Sequence, residues 1–61
     1  MPTNLEMRVM QKNTLFNLLK LKRDNEKQEI NLTGLRELII ATEAIMEEED
    51  VAWVEKKIAE L

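Results

Sequence analysis

The sequence predicts an all-α protein, a long N-terminal helix plus two shorter helices folded back along it as a helical hairpin or three-helix bundle. Three observations carry that prediction. Gly and Pro occur only once each in 61 residues. Leu, Glu, Lys, Met and Ala, all good helix formers, dominate what remains. Apolar residues recur at helical spacing in three successive segments. The length suits a single domain over residues 1–61.

The first helix opens at Thr3-Asn4-Leu5-Glu6, which has the form of a capping box with Pro2 just outside it. Its periodicity runs to about Glu26. Leu5, Val9, Phe16 and Leu19 fall on one stripe, with Leu15 at its edge. Met7, Met10, Leu18 and Leu21 form a second stripe on roughly the opposite side. The first stripe keeps its phase across Asn13-Thr14, so the helix is expected to run through them for about 35 Å at 1.5 Å per residue. A surface helix in a hairpin needs only one apolar stripe. Four further large side chains, each contributing about 1.5–3 kcal/mol when fully buried, call for cover. The Met7/Met10/Leu18/Leu21 stripe is therefore expected to be an interface, with self-association as a dimer favoured over a foreign target.

Asp24 to Glu29 is polar and ends the periodicity. Asn31-Leu32-Thr33-Gly34 supplies the next start signal, with Asn31 or Thr33 as the N-cap. The second helix carries Leu35, Leu38, Ile39, Ala41, Ile45 and Met46 on one broad face, while Ile40 points the other way. Val51, Val54, Ile58 and Leu61 form a further stripe. Its direction is rotated by roughly 150° from that of the second helix if no break intervenes. Either the chain turns near Glu47–Asp50, with Asp50 capping a third helix, or one straight helix serves two partners. The turn is favoured, because Asp50 is a good N-cap residue and acids suit the positive end of the new helix.

A chain of this size buries only about 60% of the surface it exposes when unfolded, so its own core is marginal. With no Cys and no His, disulfides and an ordinary zinc site are excluded. Self-association or docking on a larger protein remains as the economical remedy. Net charge is −3 but unevenly spread. Residues 1–31 hold six bases against four acids, and residues 32–61 hold three bases against eight acids. Opposed halves of this kind attract each other when a chain folds back on itself.

The run Ile45-Met46-Glu47-Glu48-Glu49-Asp50-Val51-Ala52-Trp53-Val54 is the stretch most suggestive of function. Glu43 and Glu47, and likewise Glu47 and Asp50, stand one helical turn apart, and oxygen ligands suit calcium or magnesium. There is no D-x-D-x-D-G loop, however, and a His-free chain cannot supply a Glu-x-x-His di-iron motif. No metal or cofactor is expected. Enzymatic activity is not expected either, since His, Cys, Tyr and a phosphate-cradling Gly-rich loop are all missing. Lys20, Arg23 and Lys27 make a one-sided basic ridge. A pI near 4.9 and the lack of stacking aromatics nevertheless argue against nucleic acid as a partner. The apolar runs are too short to span a membrane. MPTNLEMRVM also lacks a basic region followed by an apolar stretch, so a soluble cytoplasmic protein is the expectation.

Trp53 lies off the third-helix stripe, where it either fills the core or serves as an interface anchor. Met46 would add an adaptable apolar contact. Met46 and Trp53 at the two ends of the junction, ringed by Glu47, Glu48 and Glu49, are the expected partner-binding residues.

From Leu32 to Ile58 the chain also resembles the Sda-type sporulation inhibitors. The likeness rests on Ala41-Thr42-Glu43 in one arm and Val51, Val54, Glu55 and Ile58 in the other. These are small helical hairpins that bind and block a sensor histidine kinase. The resemblance implies kinase contact at Met46, while the family's nearby aromatic contact position is held by Asp50 here. The long first helix has no counterpart in that family.

Together these readings predict a small, non-enzymatic regulatory or inhibitory protein, of the kind found as a bacterial or phage accessory, acting on another protein. Two alternatives stand beside it. One is a structural oligomerisation module. The other is an inhibitor whose acidic run imitates a nucleic-acid backbone to occupy a basic site.

Overall fold

The computed structural model describes residues 4–26 and 32–61. Helix α1 spans Asn4–Asn25, α2 spans Thr33–Ala44 and α3 spans Glu48–Ala59. The first helix packs against both others, giving a three-helix bundle in which α2 runs back along α1 and α3 runs forward again. Thr3, Lys27 and Asn31, invoked above for capping and for the basic ridge, lie outside the described residues.

Helix α1 continues through Asn13-Thr14 as the stripe predicts. Its core position is Leu15, which is fully buried and meets Ile39 of α2 and Val54 of α3. Leu15 falls between the two apolar stripes of α1. The stripes therefore flank the buried arc centred on Leu15, one turned towards α3 and one towards α2. Phe16, Leu18 and Leu19 pack on the core, whereas Leu5, Met7, Val9, Met10 and Leu21 are exposed. Phe16, Leu19, Val51 and Ile58 surround the core on the α3 side, with Leu18 and Leu35 on the α2 side and Met46 where the two shorter helices meet.

Two capping expectations are corrected. At the start of α2 the N-cap position is Leu32, whose carbonyl accepts from the Arg36 amide at 2.8 Å, and Thr33 is already helical. Between α2 and α3 the turn comes earlier than expected, at Ile45–Glu47. The Ile45 and Met46 amides donate to Thr42 and Glu43 carbonyls at 3.3 and 3.1 Å, tightening the last turn of α2. Glu47 then takes an extended conformation, and its carbonyl accepts from Asp50 and Val51 as the first α3 bonds form. Asp50 is inside the first turn of α3 and does not cap it. No positive φ occurs among the described residues, so the reversal needs no glycine.

Candidate functional site

The four consecutive acids have separate fates. Glu47 is the extended N-cap residue of α3. Glu48 is exposed on its first turn. Glu49 and Asp50 both bind Arg8 of α1. The Arg8 guanidinium donates through Nε and Nη2 to the two Asp50 carboxylate oxygens, each at 2.9 Å, and Nη2 also reaches Glu49. Asp50 is only 4% exposed. Its hydrogen bonds from Arg8 hold its carboxyl below the usual aspartate range, although burial pushes the other way. The same pairing raises the Arg8 guanidinium further above its ordinary value. Half of the acidic run is thus consumed in fastening α3 to α1.

The basic ridge is likewise divided. Arg23 donates from Nη1 to the Ile58 carbonyl at 2.7 Å, covering the C-terminal end of α3, and Lys22 lies 3.7 Å from Glu26. Lys20 remains exposed.

Met46 and Trp53 do not form one patch. Trp53 is about half exposed on the α3 flank. The Lys12 and Lys57 ammonium groups lie 4.9 and 5.6 Å from the centre of its ring, a cation–π arrangement on both counts. Beyond it a groove continues along Asn13, Phe16, Glu60 and Leu61. Met46 is half-buried against the core. It floors a different groove of about 300 Å³ between α2 and α3, with Val51 and Ala52, walled by Glu43, Glu48 and Glu55. Among the described residues none of those three glutamates forms an ion pair. No family model, curated protein or solved structure matches the chain.

The second α1 stripe divides as well. Leu18 packs on the core, whereas Met7, Met10 and Leu21 stay exposed. Met7 and Met10 line a groove of about 410 Å³ with Gln11, Thr14, Thr42 and Ile45, none of which is charged. The sequence groups Ile45 and Leu38 with Leu35, Ile39, Ala41 and Met46 on one broad face of α2. Ile45 and Leu38 are exposed, because Ile39, Leu35 and Met46 take the buried arc. The signal was available: Leu38, Ala41 and Ile45 follow i, i+3, i+7 and form a row of their own beside it.

Charge is polarised along the bundle. At the α2–α3 turn six acids (Glu6, Glu43 and residues 47–50) stand with two bases, Arg8 and Lys12, a net of −4. At the far end of α1, Lys20, Lys22 and Arg23 outweigh Asp24 and Glu26, a net of +1, while charges balance in the neighbouring parts of α2 and α3. No helix among the described residues is long and apolar enough to cross a membrane.

Proposed function

We propose that this protein is a small, non-enzymatic regulator or inhibitor that acts by occupying a surface of another protein, through the Met46 groove. The observation that carries the reading is the make-up of that groove: an apolar floor of Met46, Val51 and Ala52 between three glutamates without ion-pair partners among the described residues. A partner Lys or Arg suits it in both respects, with an aliphatic stem on the floor and a cationic head among the carboxylates. Met adapts its shape to different side chains. Glu47 is exposed but lies on the α1 side of the turn, with Met7, Arg8, Gln11 and Ile45, and Glu49 is spent on Arg8. Trp53 is a separate contact on the other flank of α3. The sequence resemblance to histidine-kinase inhibitors implies a partner contact at Met46, which favours the same groove.

The test is capture from a lysate of the source organism with tagged wild type and with the double variant Glu48→Lys/Glu55→Lys. A protein held by the wild type and lost by the variant at equal helicity, with retention falling as salt rises, supports the groove. If every captured protein survives the charge reversal, the groove is not the binding site.

The structural oligomerisation reading has a different observation behind it, the uncharged α1–α2 face.

A further inference from the structure

The α1–α2 face stands apart from the rest of a chain in which 34% of residues are charged. On α1 it comprises positions 7, 10, 14, 18 and 21, and on α2 positions 34, 38, 41, 42 and 45, with no charge at any of them. Met7, Met10, Leu21, Leu38 and Ile45 on this face are 45, 62, 51, 52 and 70% exposed. Among the described residues they account for half of the ten large apolar side chains left exposed, against three that are buried completely or nearly so. From Met7 to Leu21 the face is about 21 Å long at 1.5 Å per residue, and it is two helices wide. Its apolar part reaches the several hundred Å² at which a patch marks an interaction site. Thr14 and Ala41, both exposed, and half-buried Thr42 widen it without adding charge.

We propose that this face is covered by a second copy of the chain, related by a two-fold axis passing near Thr14 and set antiparallel, so that α1 and α2 of both copies form a four-helix bundle. The face is complementary to itself in that arrangement. One end is hollow, the groove lined by Met7, Met10, Thr14, Thr42 and Ile45. The other end carries Leu38 and Leu21, both half exposed. An antiparallel two-fold lays the Leu21/Leu38 end of each copy over the groove of the other, and the axis turns one such contact into two. Electrostatics selects the direction. A parallel pair sets two ends of net −4 side by side, whereas the antiparallel pair sets each against an end of net +1. An interface core free of charge is what association of two such faces requires. The Met46 groove lies on the α2–α3 side, so the dimer leaves it open in both copies, and this proposal stands independently of the partner reading above.

Sedimentation of the full chain from about 10 to 500 µM tests it. Wild type is expected to be a dimer. Leu38→Asp is expected to weaken dimerisation by about tenfold or more, equivalent to at least one decade in the dissociation constant. Ile40→Asp, at an equally exposed apolar position off the face, is expected to remain dimeric. Should Leu38→Asp lose helicity, Ile45→Asp replaces it. A wild type that is monomeric throughout, or Leu38→Asp and Ile45→Asp variants that dimerise as well as wild type, overturns the proposal. So does an Ile40→Asp variant that dissociates equally. A monomeric wild type would assign the face to a foreign protein and leave the Met46 reading untouched. Because the chain has no native Cys, direction is read by oxidation. Thr14→Cys, near the axis, is expected to cross-link to itself and Met7→Cys is not. Self-linking of Met7→Cys as readily as Thr14→Cys would overturn the antiparallel arrangement.

Discussion

The two flanks of α1 are built differently. Towards α3 the contact is fastened along its length. Arg8 clasps Asp50 and Glu49 near the turn, Lys12 sits on Trp53 one helical turn further on, and Arg23 bonds the Ile58 carbonyl at the far end. Val54 between them is fully buried. Towards α2 the contact is apolar, with Ile39 and Leu35 meeting Leu15 and Leu18, and beyond them Met7, Met10 and Ile45 open onto solvent. The difference lies in the kind of contact. Polar groups tie α3 to α1, although Leu5, Val9, Trp53 and Leu61 stay exposed on that side, whereas apolar contact joins α2 to α1. Directional hydrogen bonds on the α3 side set the register of the bundle. The α2 side supplies non-directional burial and has surface to spare for another molecule.

The sharpest way to break this comparison is to make the same kind of deletion in the centre and on the open flank. Leu15→Ala is expected to cost about 2–5 kcal/mol, because Leu15 is fully buried and a small bundle can collapse only partly around the cavity. A lone core of this size supplies only about 3–5 kcal/mol, so the variant is expected to lose most of its helicity at 25 °C by circular dichroism. Ile45→Ala, at a site 70% exposed, is expected to stay within about 0.5 kcal/mol in a monomer. A loss comparable to that of Leu15→Ala, measured at concentrations low enough to dissociate any dimer, would mean that the α2 flank is not open at all.

A second measurement separates the flanks by pH. The Asp50 carboxyl is held low in the folded state by Arg8. Its contribution is therefore complete above the ordinary aspartate value of about 4 and is lost as pH falls through the depressed native value. Thermal midpoints of the wild type are expected to drop on acidification below about pH 4 more steeply than those of Asp50→Asn, which should already be less stable at pH 7. Parallel curves for the two proteins would show that the Arg8 clasp contributes no pH-dependent stability.

Much of this architecture was legible before the fold was known, for identifiable reasons. The phase conflict between Ile45/Met46 and Val51/Val54 favoured a turn between α2 and α3, because one straight helix cannot aim both stripes at one partner and would need two. The continuous phase from Leu5 to Leu19 carried α1 through Asn13-Thr14. Leu15 was placed at the edge of a stripe and proves to be the centre of the core. A helix packed against two neighbours buries the bisector of its stripes, and the number of neighbours is a property of the whole fold. Asp50 was misread for a related reason. Aspartate is a good N-cap, and local chemistry gave no sign of a base 42 residues away in the chain. The usable signal lay in α1, where Arg8 stands two turns from Leu15 on the same arc, and a base on a buried arc calls for an acid opposite. The expected Met46–Trp53 patch failed on geometry. Ala52 and Trp53 are neighbours in sequence and a helix sends them about 100° apart, one to each flank of α3.

The smallest effect belongs to the contact between Lys12 and Trp53. An ammonium 4.9 Å from the centre of an indole that is half exposed contributes about 0.5–1 kcal/mol at most. Lys12→Gln removes the charge while keeping much of the stem that lies along the ring. The variant is expected to lower the midpoint of chemical unfolding by no more than that amount. It should also change the native Trp53 fluorescence, since a cation over the ring face is lost while Lys57 remains 5.6 Å from the ring centre. The matching change on the α2 flank, Thr14→Ala, removes no cation from an aromatic and should leave the emission as it is. If Lys12→Gln leaves both midpoint and emission unchanged, the tryptophan is held by packing against α1 alone, and the α3 flank is fastened at its two ends and not in its middle.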